Sequence, residues 1–188
     1  MNHYNKLSMI RKGLILTLLF ITTSCFNNKI KEIKDLSFEK LKVTKNVSQV
    51  NSNFLEGIIP KDLEDFLLKN NFTTNKENIT NDEPHEFIFK ESEAIYSVII
   101  DGNEKLKKIE FYSFSKTNSL DKAIIFFKKA SKIPIPQVDT LRMKKWTESN
   151  MNLINESLSR ATILSNIHYI IEQINSSEFK LTIKKYSS

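Results

Sequence analysis

The chain has 188 residues and carries 28 Lys and Arg against 22 Asp and Glu, with three glycines and a single cysteine. This length is typical of one domain built around one hydrophobic core. The lone cysteine excludes an internal disulfide, and the scarcity of glycine argues against a phosphate-cradling loop or a dinucleotide-binding fingerprint.

The first 24 residues have the layout of a secretory signal peptide. Lys6, Arg11 and Lys12 give a positive start, and residues 14–21 form an apolar run. That run is far shorter than the ~20 residues that a membrane-spanning helix needs, so we expect a cleaved leader rather than a permanent span. The pattern predicts an exported protein from which residues 1–24 are removed.

The residues after the apolar run resemble the lipobox of bacterial lipoproteins. Thr22, Thr23 and Ser24 are small and lead directly into Cys25, although the family pattern prefers Leu where Thr22 stands. The resemblance implies that Cys25 becomes the new N-terminus and carries acyl chains that anchor the protein on a membrane. Phe26, rather than Asp, after the cysteine implies delivery to the outer membrane, if the cell has two membranes, or to the cell surface. The alternative is an ordinary cleaved signal followed by a chance cysteine.

Removal of this leader lowers the formal net charge from +6 to +3, because three basic and no acidic residues leave with it. The remaining charges are mixed in sign, which argues against nucleic acid as a partner. A weak attraction to anionic lipid or polysaccharide stays open.

Residues 25–55 are predicted to be the lipidated N-terminus and a flexible tether, since their apolar residues are scattered. Phe38, Leu41 and Val43 leave open a short strand or a docking segment.

The globular body is predicted to span residues 56–188 and to start with a helix at Pro60. Proline is tolerated in a first helical turn, Leu63 and Leu67 recur at helical spacing, and Asn70 is a plausible end. Three strands rich in Phe, Ile, Val and Tyr are predicted next: residues 86–92, 95–100 and 107–115. Gly102 lies between the last two and permits the positive φ of a hairpin turn.

A second helix is predicted after Asn118 or Ser119, with an apolar stripe that includes Leu120 and Phe127, and it ends before Pro134. Residues 144–152 are interpreted as a strand or an irregular segment. Two further strands, residues 161–173 and 178–186, are predicted to form a hairpin through residues 175–177.

These elements predict an α+β fold, with a mostly antiparallel sheet of about five to six strands and two helices packed on one face. Their order also fits two copies of a helix-β-β-β unit. The other face of the sheet is then free to contact a partner, or is simply solvated, as antiparallel sheets permit.

No motif predicts a catalytic centre, a cofactor or a metal site. His85-Glu86 lacks the second histidine of a zinc protease, because Phe89 occupies that position. Glu83 could join His85 and Glu86 around a metal, but a surface loop is the preferred interpretation. His168 is interpreted as a structural histidine of a strand.

The function predicted from these observations is a non-catalytic binding module that recognises an envelope protein or a small envelope ligand. Trp146, Tyr112 and Tyr169 are the candidate contact residues, because large amphipathic rings contribute strongly at interfaces. The alternative for Trp146 is a place in the core. The alternative function is a small envelope hydrolase or sugar-acting enzyme, which would need two carboxylates, or a carboxylate with His85 or His168, in one pocket.

Overall fold

The computed structural model describes residues 32–44, 53–74, 83–136, 138–154 and 159–186. The predicted signal peptide, the lipobox-like segment and Cys25 lie outside the described residues. All described residues belong to one compact unit, Lys31–Ser188.

The core of the fold is an antiparallel sheet with the order β1-β2-β3-β4-β7-β6-β5. Its strands are Thr73–Thr74, His85–Lys90, Ala94–Asp101, Lys108–Ser115, Ser159–Leu164, Ile167–Asn175 and Glu178–Lys185. Two three-stranded meanders, β2 to β4 and β5 to β7, meet along the pairing of β4 with β7. The α+β prediction is confirmed, but the sheet has seven strands where five to six were predicted.

Among the described residues, three α-helices, where two were predicted, and two short 3-10 turns cover the sheet on one side. They are α1 (Pro60–Lys69), α2 (Ser119–Ala130), α3 (Thr140–Asn152) and the turns Ile33–Asp35 and Phe38–Lys40. α1 contacts β2, α2 contacts β3, β4 and β7, and α3 contacts α2 and β6. We call the covered side of the sheet the helix face and the other side the open face.

The interpretation of residues 144–152 as a strand or irregular segment is wrong, because they form most of α3. Asp139 caps this helix by accepting a hydrogen bond from the Arg142 backbone N–H at 3.0 Å. Its buried residues are Met143, Thr147 and Met151. A polar Thr in the middle of that stripe weakens the apolar periodicity from which helices are recognised.

The single strand predicted over residues 161–173 is in fact two strands, β5 and β6. Ser165 and Asn166 separate them and have φ values of 51° and 63°. Two consecutive residues with positive φ form the tight turn that matches the twist of a hairpin. The predicted hairpin turn at Gly102 is confirmed, and its φ of 117° is one that residues with a side chain rarely adopt.

Residues 32–44 pack against the body, which corrects the tether prediction for this part of residues 25–55. The Phe38 ring is fully buried, with centroids 5.2 Å from Phe66 and 5.6 Å from Phe111. Ile33, Leu36 and Leu41 are buried as well. The docking-segment alternative describes this stretch better, because each of these side chains finds apolar neighbours on the helix face.

Candidate functional site

Alternation along the strands divides the side chains of the sheet between its two faces. On β3, Tyr96, Val98 and Ile100 are buried on the helix face, whereas Ile95 and Ile99 lie on the open face. A strand that is apolar on both faces is typical of sheets covered on both sides. In the described part of the chain, no helix covers this second apolar face.

Five side chains form an apolar patch on the open face, and we call it the open-face patch: Ile88, Ile95, Ile99, Tyr112 and Phe114. They line a cavity of about 280 Å³ together with Glu86, Ser97 and Glu178. Ile95 is 41% exposed, and the other four are half-buried. The patch therefore offers a nearly flat apolar surface with a shallow depression.

The neighbouring strand β7 has the opposite character on the same face. Its open-face residues are Glu178, Lys180, Thr182 and Lys184, which are the polar residues that a solvated sheet face is expected to carry. Lys180 forms an ion pair with Glu172 of β6 at 2.6 Å. The contiguous apolar surface thus lies in the β2–β4 half of the open face, and Ile163 and Ile170 lie apart from it on β5 and β6.

Tyr112 lies on β4, between its cross-strand neighbours Ser97 on β3 and Lys180 on β7. Burial raises the pKa of its phenol, and the negative charge of Glu110 raises it further, so the hydroxyl stays protonated at neutral pH. Among the described residues the hydroxyl has no hydrogen-bond partner. Tyr112 can therefore donate a hydrogen bond to a molecule bound on the patch.

Tyr169 does not belong to this surface. It is 1% exposed and lies on the helix face of β6, where burial raises the pKa of its phenol. Its sequence neighbours His168 and Ile170 face the open side instead. The interpretation of Tyr169 as a contact residue is corrected, because the alternation of side chains along β6 places Tyr169 in the core.

Trp146 lies on α3 and is half-buried against the core. It is on the opposite side of the sheet from Tyr112, so the structure does not bring the two predicted contact residues together. This placement fits the core alternative for Trp146.

His85 pairs with a carboxylate that the sequence did not suggest. Its Nδ1 lies 2.5 Å from Oε1 of Glu64 on α1, and both side chains are about nine-tenths buried. Glu86 points to the open face, away from this pair. The described residues contain no cluster of three or more metal-ligating side chains.

A second cavity, of about 460 Å³, adjoins the patch beside Glu91 and Glu93. Glu91 accepts hydrogen bonds from the Ile33 backbone and the Tyr96 hydroxyl. A hydrogen bond from Lys122, followed by one from Thr117, lowers the pKa of Glu93. Glu93 is therefore ionised at neutral pH and unsuited to donate a proton as a general acid.

The fold and this surface define the class of protein: an α+β domain with one face of its sheet covered by helices and the other left open and half apolar. No family model, curated protein or solved structure matches the chain. Within the described ranges, every helix falls short of the length and apolar character that crossing a bilayer requires.

The sequence predicted Tyr112 but missed Ile88, Ile95, Ile99 and Phe114 as parts of the same surface. Their signal was present, because residues 94–100 are apolar at both odd and even positions. Such a run predicts a strand in contact with apolar groups on both faces.

Proposed function

We propose that the chain is a lipoprotein of the cell envelope, exported, cleaved before Cys25 and anchored on the outer membrane or cell surface by acyl chains. Its body acts as a non-catalytic binding module. The charged start, apolar run and small-residue exit of residues 1–25 support the anchor. The open-face patch supports the binding role, and it is the observation on which that role rests.

The shape of the patch favours a protein over a small molecule as the partner. Small-molecule sites are concave clefts that bury most of the ligand surface, whereas the depression on the patch and the cavity beside it are both open to solvent. A nearly flat apolar centre framed by polar groups is typical of protein interfaces. Burial of Ile95 and Tyr112 beneath a partner would provide the main favourable term, since apolar area contributes about 25 cal/mol per Å² removed from water.

The charges around the patch indicate what the partner presents. Glu86, Glu110 and Glu178 lie on the open face next to the patch. Glu110 is paired with Lys108 at 3.2 Å. Lys90 is the cross-strand neighbour of Ile95, and Lys180 is that of Tyr112, so charges of both signs frame the patch. We expect the partner to present an apolar or aromatic contact framed by polar groups of both signs. A secreted toxin to be neutralised and a subunit to be assembled in the envelope both satisfy this description.

The alternative, a small envelope hydrolase, would rely on Glu64 and His85, which form the one close histidine–carboxylate pair among the described residues. Neither residue lines the cavity at the open-face patch or the one beside Glu93. Catalysis by this pair would need access for a substrate, so binding is the function that the geometry supports better.

Ile95→Asp is the sharpest test of the binding role, with Ile163→Asp as its matched control. Both isoleucines are exposed on the open face, by 41% and 46%, but Ile163 lies on edge strand β5, roughly 20 Å from Ile95 across the sheet. We expect affinity capture from native membranes to yield one reproducible partner with the wild type and with Ile163→Asp. Ile95→Asp should reduce the captured amount on the order of tenfold or more.

Tyr112→Ala should show the same loss of that partner, and reversible refolding of the purified variant checks that it is folded. Tyr112→Phe should retain most of the binding. Equal capture by Ile95→Asp and the wild type would contradict the assignment of the patch. Turnover of an envelope substrate that is abolished by His85→Gln would favour the hydrolase instead.

A further inference from the structure

Four lysines gather on the outer surface of the helix layer, on the side of the molecule opposite the open-face patch. Lys128, Lys129, Lys132 and Lys144 line a cavity of about 250 Å³ together with Ile125. Lys128 and Lys129 lie in α2, and Lys132 lies in the turn that follows it. Lys144 lies in α3, which packs beside α2. We call these four residues the lysine cluster.

The lysine cluster is only partly neutralised within the protein. Lys128 contacts Glu148 at 2.7 Å, and Lys132 contacts Glu39; the two glutamates are about half exposed. Among the described residues, Lys129 and Lys144 have no carboxylate within ion-pair distance. Four positive charges thus face two negative ones, and the surplus lies around the cavity.

The two glutamates are firmly ionised, which makes this charge balance hold at neutral pH. A hydrogen bond from Lys132 lowers the pKa of Glu39, and one from Lys128 lowers the pKa of Glu148. Lys144 contributes to both shifts through its charge, so it lies close enough to act with the other three.

Exposed apolar side chains accompany the lysine cluster. Ile125 is 43% exposed and lines the same cavity, and Leu141 is 58% exposed one turn before Lys144 on α3. Lysines that frame a few exposed apolar side chains are typical of surfaces that lie in the interfacial region of a bilayer. The exposed apolar side chains would not contribute to the binding of a soluble anion.

We propose that the lysine cluster binds the phosphate groups of anionic lipids, so that the helix layer rests on the membrane and the open-face patch points away from it. The choice of a lipid surface over a soluble phosphate rests on the proposed membrane anchorage. Each lysine held near an anionic surface strengthens binding severalfold. The orientation follows from the fold, because helices and patch lie on opposite sides of one sheet.

The test uses the full chain carrying Cys25→Ser, so that acyl chains do not contribute, and measures sedimentation with vesicles. One vesicle population contains phosphatidylcholine alone, and the other also contains phosphatidylglycerol. Lys129→Gln/Lys144→Gln is compared with Lys107→Gln/Lys184→Gln, which removes the same charge from two exposed lysines away from the cluster. The leader is common to all chains and contributes equally.

We expect Lys129→Gln/Lys144→Gln to weaken binding to phosphatidylglycerol vesicles on the order of tenfold at low salt, and the control to weaken it less than about twofold. Equal losses in the two double variants would show a general charge effect and overturn the proposal. Saturable binding of inorganic phosphate that depends on Lys129 and Lys144, with no preference for anionic vesicles, would assign the cluster to a soluble anion instead. Since acylation is absent, failure of the lipid anchor would leave these results unchanged.

Discussion

His168 shows how its surroundings set the charge of one side chain on the open face. The ring lies edge-on to Tyr186, with centroids 5.9 Å apart, and Lys184 is its cross-strand neighbour. Burial lowers the pKa of His168, and the positive charge of Lys184 lowers it further. The imidazole is therefore neutral at neutral pH, as a structural role in the sheet requires.

A prediction for acid stability follows from this shift. In the unfolded chain His168 takes up a proton near its ordinary pKa of about 6.5, whereas in the folded chain it does so only at lower pH. Its contribution to stability is thus present above pH ~6.5 and is lost as the pH falls through the folded-state pKa. Between pH 7 and pH 5, Tm should fall more for the wild type than for His168→Gln, by about 1–2 °C.

Thermal unfolding followed by circular dichroism at several pH values measures this difference. Glu and Asp titrate in both proteins and cancel in the comparison. A steeper acid loss in His168→Gln than in the wild type would contradict the direction of the shift.

At the scale of elements, the segment 32–44 behaves as part of the core. Phe38 fills a space between Phe66 of α1 and Phe111 of β4, so it joins the N-terminal segment to the helix layer and the sheet. The Thr44 backbone N–H donates to the Gly57 carbonyl at 3.0 Å, which ties the end of the segment to the chain before α1.

Phe38→Ala should lower the free energy of unfolding by about 3–5 kcal/mol, because it removes a fully buried ring and leaves a cavity. Lys42→Ala, an exposed change in the same segment, should have almost no effect. Urea unfolding monitored by the fluorescence of Trp146, the only tryptophan, measures both. Equal stability of the two variants would restore the tether interpretation for this stretch.

The elements that the sequence predicted correctly carry local signals. Pro60 marks the start of α1 because the fixed φ of proline suits a first helical turn. Gly102 marks a hairpin turn because glycine adopts positive φ without a steric penalty. α3 escaped prediction because tertiary packing, rather than a regular apolar stripe, stabilises it. The turn at Ser165 and Asn166 was not predicted because neither residue is glycine. The apolar residues on both sides of it therefore predicted one continuous strand.

At the scale of the whole molecule, the candidate surface could be predicted only in part. The sequence alone indicated that one face of the sheet was open, and it picked out Tyr112. It could not assign Tyr169 to the core, since the face on which a strand residue lies depends on the register of the entire sheet. Ile95 and Phe114 are separated in sequence, and only the pairing of β3 with β4 places them side by side.

The two sides of the molecule suit two different surroundings. The helix layer carries the lysine cluster with exposed Ile125, and the open face carries an apolar patch bordered by charged side chains of both signs. An anchored protein with this division would hold the membrane with one side and present the other to a partner. The two proposed roles act together only if the chain reaches the envelope and Cys25 is acylated.

Metabolic labelling with radioactive palmitate in the native host tests that dependence most directly. The proposed anchorage predicts label on the wild-type chain in the membrane fraction, a mass consistent with loss of residues 1–24, and no label on Cys25→Ser. An unlabelled wild-type chain that keeps its full length in the cytosol would contradict it.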